Sequence, residues 1–144
     1  MFKKILVPVD GSLHSERALE KAIGIAKKFN SKITLLHVYS TNLVLLPKEY
    51  AVPESTPEIV AISREIGANI LACAEIRTKA EKVQVDTLLE RGHTVKVIID
   101  LCKEGKFDLI VIGARGLSKI KEILLGSVSQ GVVRHAACPV LIVK

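Results

Sequence analysis

Strand-like and helix-like segments alternate along this 144-residue sequence, and the alternation predicts an α/β fold. Hydrophobic residues make up 49% of the chain and aromatic residues only 3%, so the core must be built from Ile, Val, Leu and Ala. That mixture is typical of a parallel sheet buried between helices. Because no linker or repeat divides the chain, we expect one domain over residues 1–144. Its fold should be a doubly wound parallel sheet with helices on both faces.

The first strand is predicted at residues 5–9, an apolar run that breaks at the sequence D-G-S of residues 10–12. A helix follows from Leu13, and Ser12 is a suitable residue to cap its N-terminus. Apolar residues recur in this helix at helical spacing, which predicts one buried face. They are Leu19, Ala22, Ile23, Ala26 and Phe29.

Residues 33–39 form a second apolar, β-branched run, which predicts a second strand. Because a helix connects it to the first strand, the two strands should be parallel. His37 lies inside this strand and is either a satisfied core residue or a functional group. Residues 41–55 have no clear period and carry two prolines. They are either a lid or partner-binding segment or a variable surface excursion.

The second helix should begin at Thr56, with Pro57 at its first position and Glu58 complementing the helix dipole. Helical spacing gives it one apolar face over about six turns. This face consists of Ile59, Ile62, Ile66, Ile70, Cys73 and Ile76.

Polar and apolar residues alternate at residues 82–89, which predicts a half-covered strand at an edge of the sheet. Gly92 ends this strand, and Thr94 can cap the helix that follows. The β-branched residues of that helix would also allow a strand, but its spacing and the following Gly105 favour a helix. Its apolar residues are Val95, Ile98, Ile99 and Cys102.

The fourth strand is predicted at residues 107–112, the last helix at residues 127–136 and the final strand at Val140–Val143. The last helix should turn three valines inward, and the final strand is apolar on both faces although it lies at an edge. A long apolar edge is normally paired or covered. The three valines are Val128, Val132 and Val133.

The formal charge of +6 fits nucleic acid, a membrane surface or an anionic small ligand. Because Lys and Arg are spread along the chain and few aromatic residues are present to stack on bases, we expect no nucleic-acid partner. The apolar run near the N-terminus is too short for a signal peptide or for a membrane span of about 20 residues. We therefore expect a cytoplasmic protein with no membrane partner.

Three cysteines, Cys73, Cys102 and Cys138, lie far apart and lack a C-x-x-C spacing. This pattern suggests neither a disulfide framework nor a zinc site. We expect them to be buried, reduced thiols.

The most informative stretch follows the fourth strand, where Gly113, Gly116 and Gly126 lead to Ser127 at the start of a helix. A strand that breaks into glycines before a helix N-terminus offers bare backbone N–H groups and a positive dipole end to an anion such as phosphate. Taken alone, these glycines are equally consistent with tight turns. Neither G-x-x-x-x-G-K-[ST] nor G-x-G-x-x-G occurs in the chain.

In a doubly wound sheet the binding crevice lies outside the carboxyl ends of the strands, where the connections change direction. If the fourth strand lies beside the first, residues 10–12 and 113–116 become neighbours in that crevice. Asp10 could then accept hydrogen bonds from ribose hydroxyls or hold Mg²⁺, while the glycine amides approach phosphate oxygens. This arrangement suits a nucleotide.

The glycine spacing G-2x-G-9x-G-S over residues 113–127 is accompanied by V-P-V-D-G-S at residues 7–12 and C-P-V-L-I-V at residues 138–143. With these motifs the chain resembles the universal stress protein family, and its ATP-binding branch in particular, over essentially its whole length. The resemblance implies a Rossmann-like fold of the adenine nucleotide alpha hydrolase type, with five parallel strands in the order 3-2-1-4-5. It also implies a homodimer joined through the last strand, Val140–Val143.

The resemblance further implies an ATP site, with adenine against Pro8 and the main chain of Val38, and with Asp10 at the ribose or at the Mg²⁺ on the phosphates. Ile112 and Gly113 would contact the nucleoside. The phosphates would lie at Gly116, Gly126, Ser127 and Val128. The remaining members of the predicted binding set are Val9, Ser12 and Arg115.

The chain departs from the family pattern at Ala114, where a small hydroxyl residue is frequent, and at His93, near an expected Pro. The first change removes one phosphate contact, and the second leaves the turn after the third strand open. Arg115, Lys119 and Lys121 either neutralise phosphate or form a solvated basic loop.

The leading functional interpretation is a nucleotide-dependent regulatory protein of the stress response with unidentified protein partners, because no catalytic set of residues is evident. At most it would hydrolyse ATP slowly. Two alternatives are an ATP-dependent transferase or pyrophosphatase, and a nucleotide-free dimer that acts through residues 41–55.

Overall fold

The structure, a computed structural model, describes residues 1–40, 56–116 and 125–144. The strands within these ranges are β1 (Lys4–Pro8), β2 (Lys32–Tyr39), β3 (Val85–Arg91), β4 (Leu109–Gly113) and β5 (Val140–Val143). The helices are α1 (Leu13–Phe29), α2 (Pro57–Ala80), α3 (Thr94–Glu104) and α4 (Ser127–His135). All four strand pairs are parallel, and the order β3-β2-β1-β4-β5 confirms the predicted sheet. The central β1 has β2 on one side and β4 on the other.

Helices cover both faces of the sheet. Alternate residues of each strand point to opposite sides, so each strand contributes side chains to both helix layers. Ile5 and Val7 of β1 belong to an apolar cluster shared with α1, whereas Leu6 belongs to a second cluster shared with α3 and α4. All three of these side chains are fully buried. The carboxyl ends of the strands are thereby held at one edge of a rigid sheet.

Two of the predicted helix starts are confirmed. The Ser12 hydroxyl accepts a hydrogen bond from the Ser15 N–H at 3.2 Å, and Thr56 accepts from the Ile59 N–H at 3.3 Å. The prediction of Thr94 as the cap of α3 is wrong, because Thr94 is the first helical residue. His93 occupies the cap position instead, and its Nδ1 accepts from the Lys96 N–H at 3.5 Å.

The third strand lies at the sheet edge as predicted, but it runs from Val85 to Arg91 and therefore begins three residues after the predicted start at Lys82. The reason is that α2 continues to Ala80, and the chain then turns with Lys82 at φ 59°. Residues 82–84, the first of the alternating pattern, therefore precede the strand.

The predicted apolar face of α2 packs only in part: Ile70 lies against an apolar core cluster, but Ile62, Ile66 and Ile76 are 57%, 54% and 70% exposed. The buried residues of α2 are Gly67, Leu71 and Thr78. A Cβ atom at Gly67 would lie 2.5 Å from His37 Cδ2 and 2.8 Å from Leu89 Cδ1, so the helix turns its smallest residue to the sheet and approaches it closely. Close approach at Gly67 therefore decides which face of α2 is buried.

Two smaller expectations about burial are also wrong. Val132 of α4 is fully buried, but its neighbour Val133 is 49% exposed. Cys73 is exposed, whereas Cys102 is buried and Cys138 is partly buried. Helical spacing thus identified the buried face of α1, but it did not separate buried from exposed positions on α2 and α4.

The segment 41–55 and the residues Lys119 and Lys121 lie outside the described residues. No helix in the described ranges has both the length and the apolar character that a bilayer crossing requires.

Candidate functional site

A cleft of about 270 Å³ opens at the carboxyl ends of β1, β2 and β4 and is closed on one side by the start of α4. It contains all of the predicted binding residues except Ser12, which is buried and caps α1. The lining residues are Pro8, Val9, Asp10, Ser15, Leu36, His37, Val38, Thr94, Ile112, Gly113, Arg115, Gly116, Gly126, Ser127, Val128 and Ser129.

Asp10 is held by the start of α1. Its Oδ1 accepts a hydrogen bond from the Ser12 N–H at 2.9 Å, and its own N–H donates to Ser15 Oγ at 3.1 Å. Since Ser12 also caps the helix, the carboxylate and the helix start form one hydrogen-bonded unit. This unit leaves Asp10 Oδ2 on the side of Gly116.

Two of the predicted glycines are required by close approach. A Cβ atom at Gly116 would lie 2.7 Å from Asp10 Oδ2, a distance that real Cβ contacts do not reach. A Cβ atom at Gly113 would lie 2.8 Å from the backbone carbon of His14, where α1 packs against the end of β4. Gly113 therefore brings the helix to the strand, and Gly116 brings the loop to the carboxylate.

The N-terminus of α4 carries no side-chain cap. Gly126 is the N-cap residue, with φ −71° and ψ 165°, and offers no side-chain oxygen to the first turn. The first amides of a helix have no partner within the helix, and the helix dipole places partial positive charge there. Because Gly126, Ser127 and Val128 line the cleft, this end of α4 suits a bound anion.

The backbone of Ala114 fixes α4 in this position. Its carbonyl oxygen accepts from the Gly126 N–H at 2.7 Å and from the buried Ser129 hydroxyl at 2.8 Å. Ala114 itself is 1% exposed and is not among the lining residues of the cleft. Its main-chain role is therefore structural, whatever side chain is present.

The opposite end of the cleft is apolar, with Pro8, Leu36, Val38 and Ile112 among its lining residues. His37 lies at this end, and its Nδ1 is 2.7 Å from the carbonyl oxygen of Val9. Because a carbonyl only accepts, His37 Nδ1 must carry the proton and donate it. The cleft thus joins an apolar half to a half with exposed amides, which suits an amphiphilic ligand with an anionic end.

Charged groups of both signs line the polar half, namely Arg115 and Asp10. In the described part of the chain, no three His, Cys, Asp or Glu side chains converge to form a metal site. Among the described residues that line the cleft, Asp10 carries the carboxylate that a divalent cation could take as a ligand.

Sequence reasoning missed Ser15, Thr94 and Ser129 as residues of the cleft. Thr94 could have been found, because α3 starts beside the carboxyl end of a strand at the same edge of the sheet. Ser15 lies one turn after Ser12 and is the other partner of the capping interaction. The contact of Ser129 with Ala114 gives no local sequence signal, since 15 residues separate the two.

The model of the universal stress protein family matches residues 1–144. The chain belongs to the universal stress protein family. Universal stress protein YxiE of Bacillus subtilis is 36% identical over 153 residues, which cover 100% of both chains. This finding confirms the resemblance to the family.

Two solved structures of universal stress proteins bear on the cleft. One is a universal stress protein in complex with cAMP, which is 31% identical, with 99% of this chain and 97% of that chain covered and a TM-score of 0.72. The other is the Arabidopsis thaliana universal stress protein family protein At3g01520 with AMP bound, which is 26% identical. The match covers 99% of this chain and 91% of that chain, with a TM-score of 0.72. Both of those proteins therefore hold an adenine nucleotide.

Proposed function

We propose that this universal stress protein binds ATP in the cleft and belongs to the ATP-binding branch of its family. The observation that carries the proposal is the uncapped N-terminus of α4, which opens into the same cleft as Asp10 and the glycine loop. The AMP and cAMP complexes of two relatives support an adenine nucleotide as the ligand.

In this proposal the adenine packs in the apolar half, against Pro8, Val9 and the main chain of Val38. Asp10 meets the ribose or the Mg²⁺ on the phosphates, and Ile112 and Gly113 contact the nucleoside. The phosphates lie against Gly116 and at the start of α4, near Arg115. The phosphate contacts are those of Gly116, Gly126, Ser127 and Val128.

Magnesium would accompany the triphosphate. Mg²⁺ prefers oxygen ligands in octahedral geometry and is commonly held by one or two carboxylates together with substrate phosphates and water. Asp10 fits this role, because its Oδ2 faces Gly116 while Oδ1 is engaged by the Ser12 N–H. When bound, the cation would neutralise phosphate charge.

Binding rather than turnover is the proposed activity, with slow ATP hydrolysis at most. The Asp10 carboxylate is engaged by the start of α1, and His37 Nδ1 is engaged by Val9. Neither group is therefore arranged as a base beside a nucleophile. Nucleotide occupancy would instead change the surface around the cleft that protein partners contact.

We propose further that the chain is a single nucleotide-binding domain that acts as a cytoplasmic homodimer through β5. This strand pairs with β4 on one side only and lies at the sheet edge, and Leu141 is 37% exposed. Two copies related by a two-fold axis could join these apolar edges, which would cover them.

Nucleotide titration of the thermal unfolding transition tests the proposal. ATP with Mg²⁺ at 100 times its dissociation constant should stabilise the protein by about 2.7 kcal/mol. Gly116→Ala should weaken ATP binding at least about tenfold, because the new Cβ displaces the Asp10 carboxylate. Gly24→Ala is the matched control: nothing lies within 4 Å of its Cβ position, so binding should not change.

Equal ATP affinity in Gly116→Ala and the wild type would contradict the site. A preference for AMP or cAMP over ATP would instead favour a nucleoside monophosphate as the ligand, as the complexes of the two relatives suggest. Turnover of about 1 per second or faster, abolished by Asp10→Asn, would favour an enzyme.

A further inference from the structure

Cys102 and Cys138 meet inside the protein although 36 positions separate them in sequence. Cys102 lies on the buried face of α3, and Cys138 lies in the connection from α4 to β5. Their Sγ atoms are 3.0 Å apart. Both residues belong to the apolar cluster on one face of the sheet, together with Val132, Val140 and Ile142.

We propose that a peroxide converts Cys102 and Cys138 into an intramolecular disulfide that ties α3 to the start of β5. A disulfide bond is about 2.05 Å long, so the two sulfur atoms need to approach by only about 1 Å. Small side-chain rotations can supply this movement. The third cysteine, Cys73, is on α2 and exposed, and it takes no part.

The reaction balances with a peroxide as the oxidant. The Cys138 sulfur attacks the peroxide, the O–O bond breaks, and the products are a sulfenic acid on Cys138 and water. The Cys102 sulfur then attacks the Cys138 sulfur, the S–O bond breaks, and a second water leaves with the remaining thiol hydrogen. In total, the two thiols lose two protons and two electrons, and these reduce hydrogen peroxide to two molecules of water.

Accessibility decides the order of these steps. Cys138 is partly exposed, whereas Cys102 is only 3% exposed. Burial raises the pKa of Cys138 to about 12, with a further contribution from its hydrogen bond with Cys102. Because the thiolate is the reactive form, oxidation at neutral pH is slow, so the pair records sustained rather than brief exposure to peroxide.

The disulfide should stabilise the folded protein. It closes a loop of 36 residues, and cross-links of this length restrict the unfolded chain enough to raise the Tm of a domain of this size by roughly 10 °C. The restrained elements are α3 and the connection that leads into β5, the edge strand of the sheet. Oxidation would thus fix the strand that the proposed dimer uses, although the bond itself requires neither dimer nor nucleotide.

Peptide mapping of the full-length protein tests this inference. The protein is incubated without nucleotide in excess hydrogen peroxide, alkylated, and digested with trypsin under non-reducing conditions. Trypsin places the three cysteines on separate peptides, residues 65–77, 97–103 and 135–144. We expect a linked pair of the 97–103 and 135–144 peptides, with a mass two hydrogen atoms below the sum of the two thiol peptides, and no link to the 65–77 peptide.

The matched variants are Cys73→Ser and Cys138→Ala. Cys73→Ser should form the linked peptide pair and gain roughly 10 °C in Tm, reversibly with a thiol reductant. Cys138→Ala should do neither. In the wild-type protein, sulfinic or sulfonic acid at Cys102 or Cys138 without the linked pair would by itself overturn the inference. A linked pair that leaves the Tm unchanged or lower would also overturn it, because the native fold would then not accommodate the bond.

Discussion

Three helix N-termini lie beside the cleft, and two of them, those of α1 and α4, are built in opposite ways. At α1 the Ser12 hydroxyl accepts from the Ser15 N–H, and the adjacent Asp10 carboxylate accepts from the Ser12 N–H. At α4 the cap residue is Gly126, which has no side chain to offer. The start of α1 is therefore complete within the protein, whereas the start of α4 is left for a ligand to complete.

This difference has a cost in stability. A Ser cap contributes about 1 kcal/mol to a helix, and α4 is a short helix of 9 residues without one. Its position depends on the fully buried Val132 and on the hydrogen bond from Ser129 to Ala114. The comparison teaches that an anion-binding helix can be recognised by the missing cap together with tertiary contacts that hold it in place.

A charged cap residue at α4 should remove the difference between the two helix starts and should have the largest effect on ATP affinity. In Gly126→Asp the carboxylate would cap the helix itself and repel phosphate, so ATP affinity should fall by about 100-fold or more, as like charges in contact cost several kcal/mol. The backbone tolerates the change, since φ is −71° and the nearest atom to a new Cβ, the Ala114 oxygen, is 3.4 Å away. Isothermal titration calorimetry measures the affinity.

Gly126→Asn is the control for this prediction. It has nearly the same shape and can also cap the helix, but it carries no charge, so its affinity should lie between those of the wild type and Gly126→Asp. The Tm of both variants should equal or exceed that of the wild type. If Gly126→Asp bound ATP like the wild type, the α4 N-terminus would not be the phosphate site.

Removing one amide at α4 should have a smaller effect. Ser127 is the first residue of the helix, where Pro is tolerated, and Gly126 has the extended conformation that a following Pro needs. Ser127→Pro should weaken ATP about tenfold if the lost N–H donated to phosphate. Ser127→Ala keeps the amide and removes only the hydroxyl. A larger loss in Ser127→Ala than in Ser127→Pro would assign the contact to the side chain instead.

Removing the hydrogen bond that holds α4 should reduce the stability of the protein more than its affinity for ATP. Ser129→Ala removes the hydroxyl that donates to the Ala114 carbonyl at 2.8 Å inside the protein. We expect a loss of about 1 to 1.5 kcal/mol in the free energy of unfolding, measured in urea, and a modest decrease in ATP affinity. Ser129→Thr, which keeps a hydroxyl, should retain more of the ATP affinity than Ser129→Ala. An unchanged free energy of unfolding in Ser129→Ala would show that Val132 burial alone fixes α4.

Removing the cap of α1 should have the smallest effect on binding. Ser12→Ala should lower the free energy of unfolding by about 1 kcal/mol, because the Ser15 N–H loses its acceptor. ATP affinity should change by less than about threefold, since Ser12 is not a lining residue of the cleft. Thermal unfolding of Ser12→Asp, which restores a cap, should recover most of the stability. A large loss of ATP affinity in Ser12→Ala would mean that the two helix starts are not independent.

Local signals in the sequence were sufficient for much of this picture. The caps Ser12 and Thr56 follow from local turn chemistry. The sheet order, and with it the meeting of Asp10 with Gly116, was implied by the family resemblance. The buried face of α2 did not follow from spacing, because the close approach at Gly67 depends on His37 and Leu89 from other elements. The same holds for the Cys102 and Cys138 contact, which depends on how α3 packs against the start of β5.

The central position of β1 has a consequence for synthesis on the ribosome. β2 follows soon after β1, but the partner for its other side, β4, ends only at Gly113. At about 5–20 residues per second, that edge of β1 stays unpaired for several seconds while the intervening chain is made. The nascent protein therefore passes through a period in which an apolar strand edge is exposed to other chains, and holding chaperones would act during that interval.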